Sequence, residues 1–380
     1  MKILFLSYHT SPFAERPGNN DSGGLNVYIK NVIKNLDNQN VEISVLTGEE
    51  SESFKDRNIS FTSFSLFKES ATIGEKTLLL PKFIDHVIQF IKVNQVDIVH
   101  AHYWLSGLAA KEMKSQFGIP YLYTAHSYGK FIEENSERIN NENAILTYAD
   151  LITASSEFEY NYLKQNYKTP DHKLKLLTPG VDTELFNVKT KNIRDNILLS
   201  VGRIQPQKGQ LNVLLLFNKL LTLFPDLKLI FVGGPSGVEG EKYLKTIESE
   251  IELKGLKNNV HFMNSTTHEE LINVYNKAKI VVHSSQFETF GLVTLEANAS
   301  GVPVVSINQG PLREIIVNGQ NGFVADTFED ENLLQFCKTL LSDNDYLSQI
   351  ELNCIQSAKK YEWKNTVKEL KGIYQELIFD

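Results

Sequence analysis

The sequence predicts an α/β protein made of two doubly wound, parallel-sheet domains. Short apolar runs alternate with amphipathic segments along most of the chain, the series restarts near its middle, and 380 residues exceed what one ordinary core holds. Alternation of this kind reads as parallel strands whose crossover helices cover both faces of a sheet.

The elements follow in order. In the first half the strand candidates are Ile3–Ser7, Glu42–Leu46, Asp97–His100, Tyr121–Thr124, Leu151–Ala154 and Leu174–Leu177. Helical periodicity marks Leu25–Leu36, Pro81–Val93, Leu105–Phe117, Ser136–Tyr148 and Glu157–Gln165. Pro179 through Lys191 carries turn residues and charge without periodicity, which suits an interdomain link. We therefore count residues 1–186 as the first domain and 187–362 as the second. The second strand series is Ile197–Val201, Lys228–Val232, Val260–Met263, Ile280–His283, Pro303–Ile307 and Gly322–Ala325. Leu211 to Phe224 reads as a buried core helix. From Glu329 onward the chain reads as helices alone.

Composition narrows the class. A hydrophobic fraction of 42% with 22% charged residues is that of a soluble globular protein. A net charge of −8 argues against nucleic-acid binding, which needs a basic footprint. Cys337 and Cys354 fit no metal or redox spacing, so buried thiols in a reducing, cytoplasmic setting are expected. The N-terminus reads as a strand rather than a signal peptide, and no apolar run is long enough to span a membrane. Peripheral membrane contact stays open.

The most informative stretch runs from Glu288 to Glu296, with Phe290-Gly291-Leu292 between the two carboxylates. It follows a strand and opens a helix, whose free N–H groups and positive dipole end favour an oxyanion or phosphate. Glu288 sits at that mouth, and Glu296 lies two turns further along nearly the same face. One carboxylate can then hold hydroxyls near the anion and the other a more distant pair, as a nucleotide diphosphate sugar requires. The alternative is an amphipathic helix with two solvated glutamates.

Three further motifs end strands, where ligands bind in such sheets. Gly23-Gly24 ahead of the first helix lets the backbone approach an anion, or is merely a surface loop. Arg203 and Lys208, after the first strand of the second half, can converge on a diphosphate. The helix dipole there disfavours cations unless an anion is present. His126 follows Tyr121–Thr124 and faces the cleft, or serves as a structural histidine. His9, His100 and His102 also end strands, yet no spaced ligand set supports a metal site. Tyr103 and Trp104 read as packing residues, with the Tyr103 hydroxyl also able to reach the cleft.

Taken together, these motifs resemble the retaining glycosyltransferases of family 4, with the GT-B architecture of two facing Rossmann-like domains and a deep interdomain cleft. The second-half signature is Gly-Arg-x4-Lys-Gly, then Glu-x7-Glu, then Ala299 to Val305 (Ala-Ser-Gly-Val-Pro-Val-Val). In the first half His9-Thr10-Ser11-Pro12, Gly23 to Tyr28, His102 to Gly107 and Thr124-Ala125-His126 are similar to the mycothiol-pathway inositol-phosphate glycosyltransferases and to sucrose-phosphate synthases. The resemblance implies a hexosyltransferase that takes a hexose or N-acetylhexosamine from a UDP-sugar to a hydroxyl of a small polar acceptor, a sugar or polyol phosphate among the candidates. Arg203 and Lys208 would hold the donor diphosphate. Gly23, Gly24 and the amides of Phe290, Gly291 and Leu292 would complete the pocket, with Glu288 on the sugar and Glu296 on the ribose. Asn26, Tyr103, His126, Lys76 and Arg138 would face the acceptor. The catalytic set implied is His126, Glu288, Arg203 and Lys208, with no metal or cofactor. The last helix, residues 363–380, would cross back to the first domain.

Three other readings share these features. A nucleotide-sugar 2-epimerase would use the same architecture without an acceptor. A silent nucleotide-sugar-binding module would bind without turnover. A nicotinamide oxidoreductase is disfavoured, because the chain lacks G-x-G-x-x-G at the first strand-helix turn.

Overall fold

The structure, a computed structural model, describes residues 1–13, 23–36, 41–131, 136–187, 194–264, 266, 268–286, 288–308 and 310–379. They fall into two compact units, one of residues 1–178 with 363–380 and one of residues 179–362, apart from the undescribed stretch Arg16–Asn20. The boundary thus lies eight residues before the expected one, since 179–186 packs with the second unit. Part of the expected link, 188–191, lies outside the described residues.

The first unit holds β1 (Lys2–Leu6), α1 (Gly24–Leu36), β2 (Glu42–Glu49), β3 (Phe54–Asp56), β4 (Ile59–Phe67), α2 (Ile73–Val93), β5 (Ile98–His102), α3 (Trp104–Phe117), β6 (Tyr121–Thr124), α4 (Ser136–Tyr148), β7 (Leu151–Ala154), α5 (Glu157–Asn166) and β8 (Leu174–Leu176). Its eight-stranded sheet runs β3-β4-β2-β1-β5-β6-β7-β8 and is parallel except for β3. Strands β1 and β5 are enclosed on both faces, which is why they read as nearly continuous apolar runs.

The second unit holds β9 (Ile197–Val201), α6 (Gln210–Leu221), β10 (Lys228–Val232), α7 (Gly237–Leu253), β11 (Val260–Met263), α8 (His268–Lys277), β12 (Ile280–His283), α9 (Leu292–Ala299), β13 (Val304–Ile307), α10 (Leu312–Ile315), β14 (Gly322–Ala325), α11 (Glu331–Ser342) and α12 (Asn344–Ala358). Its six strands are all parallel, in the order β11-β10-β9-β12-β13-β14. The expected core helix is α6, whose buried face includes Val213, Leu214, Phe217 and Leu220. Both cysteines are buried free thiols.

Helix α13 (Trp363–Phe379) belongs to the first unit and packs on α1, burying Trp363, Val367, Leu370 and Tyr374. Among the described residues no helix is long and apolar enough to cross a membrane.

Two first-half expectations need correction. The hairpin β3–β4 was not anticipated: the aromatics of Ile59 to Phe67 recur every third residue, at Phe61, Phe64 and Phe67, so the segment lacks the two-residue period that marks a strand. Helix α2 starts at Ile73 rather than at Pro81. Thr72 accepts from the Glu75 N–H while Glu75 accepts from the Thr72 N–H, a reciprocal cap that starts the helix early. Pro81 therefore lies inside the helix, where it has no N–H to donate to the carbonyl four residues back.

Candidate active site

Both sheets reverse their strand order once, between β1 and β5 in the first unit and between β9 and β12 in the second. Crossovers leave a sheet in opposite directions at such a point, so the loops beyond the strand ends part and leave room for a ligand. Arg203, Lys208 and Glu288 follow β9 and β12, Tyr103 follows β5, and His126 follows β6, one strand further out. Each unit is described separately.

In the second unit β9 leads into Gly202 and Arg203, and a 3₁₀ turn, Pro206–Lys208, then carries Lys208. Beyond β12 the chain runs through Ser284 to Glu288 and enters α9 at Gly291, whose φ of 100° is the left-handed region open to glycine. The two loops are tied together, since Ser284 Oγ donates to the Lys208 carbonyl and the Gln286 N–H to the Gln207 carbonyl. Gly209 makes this approach possible: a Cβ there would stand 2.4 Å from the Ser284 carbonyl oxygen. Gly310 does the same against Glu288, where a Cβ would lie 2.5 Å from the carbonyl oxygen.

The side chains these loops carry are charged and partly buried. Lys208 Nζ lies 3.5 Å from Glu288 Oε2. His283 Nε2 is 3.4 Å from the same oxygen, near enough to favour the carboxylate though not aligned as a full hydrogen bond. Burial alone would raise the Glu288 carboxyl, but the Lys208 ammonium and the His283 contact outweigh it and hold it at about 2. Glu296, along α9, behaves in the opposite way. Burial pushes it up to about 7, against a 3.3 Å hydrogen bond from the Tyr275 hydroxyl. Arg203 is half-buried, and its carbonyl accepts from Gln210. The Phe290 ring packs into the core, so only its backbone is offered at the helix mouth beside Gly291 and Leu292.

In the first unit the corresponding ends are aromatic and histidine-rich. Tyr103, between β5 and α3, has φ 71° and ψ 158°, a region essentially reserved for glycine. His126, just beyond β6, also has a positive φ, 63°. Two strained residues beyond adjacent strands are held by their surroundings; the Tyr103 N–H donates to the Thr124 carbonyl. The Tyr103 ring meets the His9 ring at 4.7 Å and the Arg138 guanidinium at 5.1 Å. Arg138 Nε donates to Glu142 Oε1 at 2.8 Å and its Nη2 to Ser127 Oγ at 3.0 Å. Glu142 also accepts from the Gly129 N–H and the Tyr167 hydroxyl.

His126 Nε2 is 2.9 Å from His102 Nδ1. His102 packs against His100, whose Nδ1 meets the Tyr374 hydroxyl of α13 at 2.6 Å and whose Nε2 meets Thr124 Oγ1 at 2.8 Å. Burial lowers His126 to about 3 and takes His100 and His102 well below the usual imidazole range, with neighbouring imidazoles adding to the shift of the latter two. The ladder is neutral at ordinary pH.

The remaining candidates divide. Asn26 is buried and donates to Thr10 Oγ1 at 3.1 Å, beside the end of β1. Gly24 is the exposed first residue of α1, and the space where a Gly23 side chain would stand is open. Residues 14–22 ahead of them lie outside the described residues. Lys76 is fully enclosed, with its Nζ over the Phe67 ring. Burial raises the Glu49 carboxyl, and Lys76 is among the groups opposing that shift.

Sequence reasoning gave no role to Ser127, Glu142, Tyr275 and His283, and weighed His102 only as a metal ligand. His100 and His102 carried a signal, since residues two apart on a strand share a face. The Glu142 position carried one too, four residues beyond Arg138 on a helix. Tyr275 and His283 carried none that their local sequence would reveal.

Two families match the chain. Residues 22–185 match one described as Glycosyltransferase Family 4, and residues 181–361 match Glycosyl transferases group 1. A D-inositol 3-phosphate glycosyltransferase of Corynebacterium urealyticum is 30% identical, covering 99% of this chain and 96% of its own. The enzyme of the same name from Corynebacterium diphtheriae is 29% identical over 98% and 94%. Among solved structures, a sucrose-phosphate synthase from Thermosynechococcus elongatus superposes with a TM-score of 0.89 at 23% identity, covering 99% of both chains. Anabaena HepE, solved with UDP and glucose, superposes at 0.79 and 20% identity, again over 99% of both. At such identities these superpositions speak to the fold alone.

Proposed function

Because this chain belongs to the glycosyltransferases whose two halves are described as Glycosyltransferase Family 4 and Glycosyl transferases group 1, we propose that it moves a hexose or N-acetylhexosamine, with retention, from a UDP-sugar to a hydroxyl of a sugar or polyol phosphate. The observation that carries the donor half is the Lys208–Glu288 pair at the mouth of α9, on loops brought together at Gly209 and Gly310.

Arg203 and Lys208 bind the donor diphosphate, and the free N–H groups opening α9 complete its cradle. Cations fixed there stabilise the leaving diphosphate as its charge grows, without a metal ion. Glu288, kept ionised by Lys208, accepts from hydroxyls of the transferred sugar. Glu296 accepts from the ribose once it has lost its proton. In the first unit Arg138, Ser127 and Tyr103 form a cationic and hydroxyl-bearing cluster suited to the acceptor's phosphate, and the names of the curated relatives support that class. Asn26 and His126 face the sugars. The acceptor hydroxyl attacks the anomeric carbon on the face the diphosphate leaves, and a departing phosphate oxygen takes its proton.

The test is release of UDP from UDP-sugars in the presence and absence of inositol and hexose phosphates. Release that needs the acceptor, persists in EDTA and yields an α-linked product from an α-linked donor supports the reading. Donor conversion without an acceptor, or tight UDP binding with no turnover across the panel, refutes it.

A further inference from the structure

Between His102 Nδ1 and His126 Nε2, 2.9 Å apart, one nitrogen must donate and the other accept. The two arrangements differ in what they leave behind. If His126 donated, His102 would carry its proton on Nε2, an atom buried with no hydrogen-bond partner among the described residues. The ring is enclosed there by Phe5, stacked at 5.6 Å, with Tyr28 and His100 nearby. A buried N–H without an acceptor is among the rarest and costliest defects in a folded chain. If His102 donates, Nε2 keeps only a lone pair, which is the lesser fault.

We propose that His102 is a positioning residue that donates its Nδ1–H to His126 Nε2, so that His126 carries its own proton on Nδ1 and offers it as a hydrogen-bond donor to a sugar oxygen. The inference deepens the function proposed above, and its use by a substrate rests on that reading. His126 Nδ1 has no partner among the described residues, as a group kept for a ligand requires. Burial holds both imidazoles neutral, so neither needs a counter-charge. His126 Nε2, already engaged, does not take the acceptor's proton. The hydrogen bond also fixes the ring of a residue held at φ 63°, and a second contact limits the same ring, Tyr28 meeting it edge-on at 5.2 Å. Trp363 of α13 backs Tyr28 in turn at 5.6 Å.

The experiment is a long-range ¹H–¹⁵N correlation on the full chain labelled with ¹⁵N-histidine, with His126 assigned through H126N. A proton on His126 Nδ1 is expected; a proton on Nε2 overturns the proposal. That measurement needs no turnover, so it is independent of whether UDP-sugar transfer is found. Where transfer is found, H102L should lower kcat by on the order of 100-fold with little change in donor KM, as loss of orientation does. H102N, whose side-chain N–H₂ can stand where Nδ1–H stood, should recover most of that loss. Wild-type kcat in H102L, or an equal loss in H102N, overturns the assignment. If H102L does not fold, the tautomer of the wild-type protein decides alone.

Discussion

The two units present the same sheet reversal, yet they furnish it with opposite chemistry. Beyond β9 and β12 the residues are ionic: a lysine and a glutamate 3.5 Å apart, a histidine beside them, and glycines where loops meet. Beyond β5 and β6 they are neutral and aromatic, with three histidines whose charged forms burial suppresses and two backbones in the left-handed region. Under the proposed function, the difference matches what each loop set would hold. A diphosphate needs fixed cations and close backbone N–H groups. Sugar hydroxyls need neutral donors and acceptors in fixed directions, and strain is one way of fixing direction. The first unit does carry an ion pair, Arg138–Glu142, but it is almost wholly enclosed, whereas Lys208–Glu288 stays partly open.

That contrast can be broken most sharply at the ionic end. Lys208→Ala and Glu288→Ala should each lower acceptor-dependent UDP release by about 10³-fold, the scale expected for removing a group that stabilises developing charge. Their melting temperatures should stay near that of the parent chain. Normal turnover in either variant would remove that residue from the mechanism and leave the pair as surface decoration.

Breaking the enclosed pair should cost stability as well as acceptor use. Arg138→Ala strands the Glu142 carboxylate among the Gly129 N–H and the Tyr167 hydroxyl, and breaking a buried pair costs about 3–5 kcal/mol. Urea denaturation measures this. A loss well below that in Arg138→Ala, or an equally large one in Lys208→Ala, would erase the distinction between the two pairs.

A smaller effect is expected at Gly310. Alanine there must adopt φ 73° with its Cβ against the Glu288 carbonyl, so about 1–3 kcal/mol of strain appears, relieved only by moving Glu288. Isothermal titration with UDP-glucose should show weaker binding than for the parent, while Gly23→Ala, set in open space, should bind more nearly as the parent does. Equal affinities in the parent and Gly310→Ala would show that the close approach is not needed for the donor.

The finest distinction is in pH. Glu296 titrates at about 7 when folded and at 4.5 ordinarily, so between those values the folded chain binds more protons than the unfolded one. Stability therefore falls as pH rises through that window. Over the same rise the carboxylate gains its charge, so UDP should bind more tightly above about 7 than below it. Glu296→Gln should flatten both trends, and a parent chain whose UDP affinity is independent of pH near 7 would show that the carboxyl does not meet the ribose. His126 should add no step there, because burial keeps it neutral down to about 3.

Much of this was legible before any coordinates. The second-unit strands are local apolar runs of four or five residues, and the structure has them within a residue of their expected bounds. Glu288, Gly291 and Glu296 belong to one contiguous stretch, so spacing alone related them to a helix start. The misses were of two kinds. The start of α2 depended on a three-residue cap that the hydrophobic period does not register. The burial of Lys76 was the other, since a helix turn that faces the core encloses even a lysine when its stem packs on aromatic surface, here Phe67.

The sequence by itself determined the two-sheet α/β class, the strand order of chemistry-bearing loops along the chain, and membership in a glycosyltransferase family. The first two depend on period and spacing over a few residues, which any one segment carries within itself; the third came from the resemblance of motifs in both halves to a known family. Only the tertiary structure decided that His126 leans on His102, that His100 reaches a tyrosine 274 residues away, and that Lys208 and Glu288 meet. Those contacts exist because parallel pairing sets β5 beside β6 and β9 beside β12, and because α13 packs against α1. Such neighbours are chosen by burial summed over each core, and no local pattern encodes that sum.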